Sequence, residues 1–164
     1  MDGIAYTLDP DLVAQNGTLQ AICSKVIDYL QAVPQLAVIK NIFSEDSKTL
    51  EQDINRALRG TSPISLVVSL GDCKDSASGL PNVIRYDPVE IIVTVIEQPT
   101  LNRGRGGSGL TINRAAEIVA CKLKGERIEN AFFTKADLRA QSEDLGTAVA
   151  KNVVLTISAS VDAS

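Results

Sequence analysis

Between Leu19 and Leu30 the apolar residues Leu19, Ile22, Cys23, Val26, Ile27 and Leu30 recur at i, i+3, i+4 and i+7. That spacing predicts one face of an amphipathic helix. Upstream, Asp9 and Pro10 stand where an N-cap and a first helical residue belong. Asn16-Gly17 interrupts the pattern, and Thr18 can cap a restart. Met1 to Leu8 predict an irregular arm. Pro34 ends the helix, and the branched residues of Leu36 to Phe43 predict a short strand. Leu50, Ile54, Ala57 and Leu58 then share one face of a second helix, with Gly60 at its C-terminal position.

From Ile64 to Leu70 the period changes to that of a strand, and Asp72 to Asn82 predict a polar loop broken by Gly79 and Pro81. Val83 to Pro99 give the strongest strand signal. Val89, Ile91, Val93 and Val95 alternate with Glu90, Ile92, Thr94 and Ile96, so at least one end of this strand should be covered on both faces. Asp87-Pro88 marks a bulge or an edge near its start. Ile112, Ala115, Ala116, Val119 and Leu123 form a third helical stripe closed by Gly125. Residues 126–148 predict no single element. The last run alternates Val153, Leu155, Ile157, Ala159 and Val161 with Val154, Thr156, Ser158 and Ser160, a half-buried strand. The order predicts an α+β fold: a mostly antiparallel or mixed β-sheet packed by two or three helices on one face. Residues 1–17 read as an N-terminal arm or helix start and 18–164 as a single domain.

At 164 residues with 45% apolar content, the chain can bury one ordinary core. No apolar run is long enough to span a bilayer, and no basic segment followed by an apolar one opens the sequence, which predicts no secretory leader and a cytoplasmic origin. A net charge of −4 argues against a nonspecific nucleic-acid coat. Histidine is absent, which removes Ser-His-Asp and Cys-His nucleophile systems and histidine-bearing zinc sites. Cys23, Cys73 and Cys121 are widely spaced and read as reduced thiols. Aromatic residues at 4% leave little for a base-stacking platform.

One motif demands a decision. Gly104-Arg105-Gly106-Gly107-Ser108-Gly109 spells G-x-G-x-x-G after a strand and before a helix. A dinucleotide cradle needs a tight strand-to-helix turn inside a parallel βαβ unit, with the helix starting within the motif. Here the strand ends near Glu97, well before Gly104, and the helix starts near Thr111, after the last glycine. The run therefore predicts a flexible, cationic, partner-contacting loop built from Arg103, Gly104, Arg105, Gly106, Gly107 and Gly109. The alternatives are a small-molecule or nucleotide-binding domain using residues 104–109, or a stand-alone adaptor domain.

Other candidates carry less. Asp72 and Asp75 flank Cys73-Lys74 and fit an exposed turn better than a metal site. Ser142-Glu143-Asp144 has no partner pattern, and Lys135 beside Phe132 and Phe133 reads as a surface lysine. No spacing supplies a nucleophile with its base and an oxyanion donor. The expectation is no enzyme, no catalytic residue, no cofactor and no metal.

Three stretches resemble a known family. Ser62 to Asp72, SPISLVVSLGD, is similar to a P-x-hydrophobic-V strand ending in glycine in small bacteriophage tail proteins. Tyr86 to Gly125 resembles their long central strand, variable Asn/Arg/Gly loop and following helix, and Asn152 to Ser160 their closing strand. The resemblance is to the tail-terminator and tail-completion (neck) group, including Mu-like small tail proteins, over most of residues 18 to 160. It implies an α+β subunit of the virion tail or neck, assembled in the host cytoplasm as a homo-oligomeric ring, commonly a hexamer. Such a ring caps the tail tube and stops its growth. Its implied partners are tail tube and sheath proteins and the head–tail connector, with DNA only passing through the lumen and no membrane. Residues 126–148 are longer than a hairpin return needs and suit an added helix or a subunit-clasping arm.

Overall fold

The computed structural model describes residues 8–44, 63–77, 79–102, 108–129, 131–140 and 149–162. Its frame is a five-stranded sheet: β1 (Asn41–Ser44), β2 (Ile64–Asp75), β3 (Val83–Glu97), β6 (Lys135–Ala140) and β7 (Val149–Asp162), in the order β1-β2-β3-β7-β6. β1 and β2 are parallel and every other neighbouring pair is antiparallel. β4 (Arg127–Ile128) and β5 (Ala131–Phe132) form a separate small hairpin. The helices are α1 (Pro10–Asn16), α2 (Thr18–Gln31) and α3 (Ile112–Leu123), with single turns at Pro34–Leu36 and Pro99–Asn102. This is the predicted α+β fold with a mixed sheet. No helix among the described residues is long and apolar enough to cross a membrane.

Register puts the core on one side of the sheet. Val93 lies between Val68 and Val153, and Ile91 between Leu70 and Leu155. These residues, with Leu66, Val89, Val95 and Ile157, join the apolar stripes of α2 and α3 in one core. Both helices therefore pack on the same face. Tyr29 fastens them together: its ring is buried and its hydroxyl donates to the Lys122 carbonyl at 2.7 Å. A buried tyrosine thus keeps a partner for its one polar atom. The opposite face is covered only in places. Ser65, Val67, Ile96 and Val154 are buried, while Ile92 and Thr94 are half-exposed. The strand end carrying Ile96 is covered on both faces, as the alternation of β3 predicts.

Proline in a central strand requires a break in the ladder, because it has no N–H to donate. β3 is central, not an edge, and Pro88 falls inside register shifts on both flanks: Tyr86 to Val89 against β7 and Cys73 to Asp75 against β2. The bulge half of the expectation holds and the edge half does not.

Several boundaries differ from the sequence reading. The second helix is capped by Gly17, not Thr18; Gly17 has φ +88° and ψ 160°, a backbone shape that side-chain-bearing residues avoid. β1 starts at Asn41, because Pro34–Leu36 coil into a helical turn that uses Leu36 as a buried plug. β2 continues to Asp75, through what reads as polar loop, because those polar residues pair with the start of β3. The described residues of 126–140 hold the β4–β5 hairpin and the strand β6, not a helix, and residues 141–148 of the segment read as an added helix or clasping arm lie outside the described residues. β6 alternates Lys135, Asp137 and Arg139 with Ala136 and Leu138, the charged make-up of a protected sheet edge. The helix expected across Leu50 to Leu58 lies outside the described residues. A parallel β1–β2 pair needs a crossover of about a dozen residues or more, and residues 45–62 supply that length.

Leu155 is fully buried between Ile91 and Ala136 on the core face. Leu155→Ala is expected to lower stability by about 2–5 kcal/mol, seen in urea as a lower midpoint with an unchanged slope.

Candidate functional site

The glycine run leaves β3 and enters α3 through a buried polar knot. Alternation places Glu97 on the same face as Val93 and Val95, and its side chain is fully buried. Its Oε2 accepts from Asn102 Nδ2 at 2.6 Å and from the Ile112 N–H, at the head of α3, at 3.0 Å. The second Nδ2 proton of Asn102 goes to the Leu110 carbonyl at 2.7 Å. Asn102 Oδ1 accepts from the Ser108 N–H at 3.1 Å and faces the Ser108 hydroxyl. That hydroxyl also lies 3.0 Å from the Leu110 carbonyl and accepts from the Leu110 N–H at 3.1 Å. Asn102 is itself held by a one-turn helix closed by its N–H on the Gln98 carbonyl at 2.9 Å. Gln98 N–H in turn bonds the Pro63 carbonyl at the start of β2 at 2.9 Å.

Arg103, Gly104, Arg105, Gly106 and Gly107 lie outside the described residues. What the structure gives is their point of departure, Asn102, and of return, Ser108, joined by a direct hydrogen bond. Gly109 adopts φ +72°, so this glycine is there for its left-handed backbone. Thr111 then caps α3 by accepting from the Arg114 N–H at 3.2 Å.

This geometry bears on the cradle alternative. A helix N-terminus attracts an anion through its free N–H groups and its dipole. Here the first such amide already binds the Glu97 carboxylate, supplied by the chain. A phosphate placed there would have to displace the Glu97 carboxyl oxygen from that amide. The strands around β3 also lack the required plan, since both its neighbours run antiparallel to it.

Elsewhere, Asp75 turns its Oδ1 to the Ala77 N–H at 2.8 Å, which makes it a turn-former. Among the described residues, no group of three or more His, Cys, Asp or Glu side chains is arranged to hold a metal ion. Phe133 is buried, Phe132 lies under the Arg127 guanidinium at 5.4 Å, and Lys135 is exposed with Asp137 at 3.5 Å. None of the three cysteines forms a disulfide: Cys23 is buried, Cys73 half-buried and Cys121 exposed. Burial, then the nearby Asp72 and Glu90 carboxylates, hold the Cys73 thiol above its ordinary pKa.

The Glu97–Asn102–Ser108 knot was not singled out from sequence. One signal was available: a carboxylate ending an apolar strand, in step with its buried residues.

No family model matches the chain. No curated protein matches it either. Among solved structures, it aligns with a chain of one described as "Virion of native gene transfer agent (GTA) particle", with 17% identity over 86% of this chain and 94% of that chain, at a TM-score of 0.45.

Asn102→Ala removes the hub of the knot and leaves Glu97 with one fewer donor. It is expected to cost about 1–3 kcal/mol, the range for leaving a buried polar group without its partner, and to speed tryptic cleavage after Arg103 and Arg105. Unchanged cleavage and stability would show that the knot does not set the loop's anchorage. Alkylation at pH 8 should modify Cys121 first, then Cys73, with Cys23 reacting only on unfolding.

Proposed function

We propose that this chain is a structural virion assembly protein, a tail terminator or completion subunit. In this reading it forms a homo-oligomeric ring, a hexamer, that caps the tail tube and joins it to the neck. The observation that carries the reading is the anchored loop base. Buried hydrogen bonds fix both ends of a segment containing Arg103 and Arg105 at the Glu97 end of the sheet. A scaffold that holds such a segment suits recognition of a neighbour's carboxylates or carbonyls. Support also comes from the element order behind the family resemblance: a strand passing through Gly71, a long central strand, a connection, a helix and a closing strand.

The mechanism is geometric and involves no catalysis. A heterologous contact that closes on itself makes a ring, whereas one that does not close makes a filament. A closed ring seated on the last tube layer presents a finished edge in place of a growing one. Charged loop residues set register and exclude wrong neighbours more than they add affinity. An acidic subunit, with a net charge of −4, also suits a lumen through which DNA slides without tight phosphate contacts. The cradle reading is less well supported because Glu97 supplies the anion at the helix N-terminus.

Light scattering of the purified chain, alone and mixed with tail-tube protein, tests the reading. A discrete ring-sized species that binds tube ends is expected. A chain that stays monomeric and associates with neither tube nor neck proteins would overturn it, as would strong salt-dependent DNA binding by the chain alone.

A further inference from the structure

The sheet continues well past its core. None of the residues Val83 to Pro88 of β3 is buried, and the same holds for Gly71 to Asp75 of β2 and Ser160 to Asp162 of β7. These segments pair into a three-stranded tongue, with Val83 opposite Asp162 and Asp75 opposite Tyr86. At its free end lies a cleft of about 440 Å³, lined by Asp75, Leu80, Val83, Ile84 and Val161 among others. Leu80 is 64% exposed and Ile84 39% exposed, so the cleft shows apolar side chains to solvent. Among its described lining residues there is one carboxylate, Asp75, and no cation. An apolar cleft with a carboxylate at its wall fits a partner that brings a cation and little side-chain bulk.

We infer that this cleft receives the Arg103–Gly107 segment of a second copy of the chain, with Asp75 facing Arg105. The inference rests on the ring reading above and names its subunit contact. Charge carries it: the cleft wall offers the Asp75 carboxylate with no cation among its described lining residues, and residues 103–107 hold two arginines, three glycines and no carboxylate. Glycines let the backbone approach a surface closely. Geometry makes the contact intermolecular. The cleft and the loop base lie at opposite ends of β3, which extends from Val83 to Glu97, roughly 45 Å apart at about 3.3 Å per residue. A five-residue segment that must leave Asn102 and return to Ser108 reaches about 10 Å at most. No copy can fill its own cleft, so the contact joins two copies; repeated in one direction it is heterologous, the kind that rings require.

A charge-swap series sized by light scattering tests it. Asp75→Arg and Arg105→Asp are each expected to weaken self-association by roughly tenfold or more, and the double variant to recover most of the loss. Asp75→Asn retains the side-chain oxygen that binds the Ala77 N–H and should show a smaller loss; circular dichroism checks that all variants keep the fold. Rings from the single variants as readily as from wild type, or a double variant no better than the singles, would overturn the contact while leaving the ring reading standing. The expected swap pattern in an open filament would support the contact and overturn the ring. A wild-type chain that never self-associates would overturn both.

Discussion

Glu97 is the residue on which three parts of this structure converge. A carboxylate taken out of water is costly unless hydrogen bonds replace its hydration. Here they come from Asn102 and from the first amide of α3, whose helix dipole favours negative charge at that end. Because one oxygen takes both bonds, the end of β3, the departure of the loop and the start of α3 are set relative to one another. The knot's worth lies in position more than in net stability, since replacing a buried charge with a well-packed apolar group is often neutral or better. Its place within an otherwise apolar core face is what a device for holding a loop would look like.

The same knot bears on how the letters G-x-G-x-x-G are read. In a dinucleotide turn the glycines clear space for a pyrophosphate at the helix N-terminus. In this chain that position is filled from within, and the last glycine, Gly109, serves a left-handed backbone step just before Leu110 and the Thr111 cap. Spacing alone could not distinguish the two uses. What distinguished them was the distance from the end of β3 to Gly104 and the late start of α3, both of which were readable in the sequence.

Legibility followed burial. The stripes of α2 and α3 and the alternation of β3 and β7 were readable because each buries one apolar face, so period and structure coincide. β6 was not readable, because an edge strand with three charged residues in six carries too little apolar signal to declare its period. The far end of β2 was not readable for a related reason: Asp72 to Asp75 are held by pairing with β3, a long-range constraint that local composition does not report. The knot stayed hidden because its parts, Glu97, Asn102 and Ser108, are ordinary polar residues whose meaning comes from being brought together. The carboxylate alone gave a hint, through its phase with Val93 and Val95.

These two regions also give the molecule a polarity. One end of β3 carries the knot and the arginine-bearing segment; the other carries an uncovered tongue with exposed Leu80 and Ile84. Two unlike ends on one rigid strand cannot meet their counterparts through a two-fold axis using either end alone. Like would face like, arginines against arginines or carboxylates against carboxylates, and like charges in contact are costly. In the proposed contact each end meets the unlike end of another copy; repeated in one direction this is head-to-tail, which either closes or runs on without limit. The angle between successive copies then decides between a ring and a filament. Anchoring the loop base on the core fixes that angle more tightly than a free loop could, and a closed ring needs the same angle at every contact.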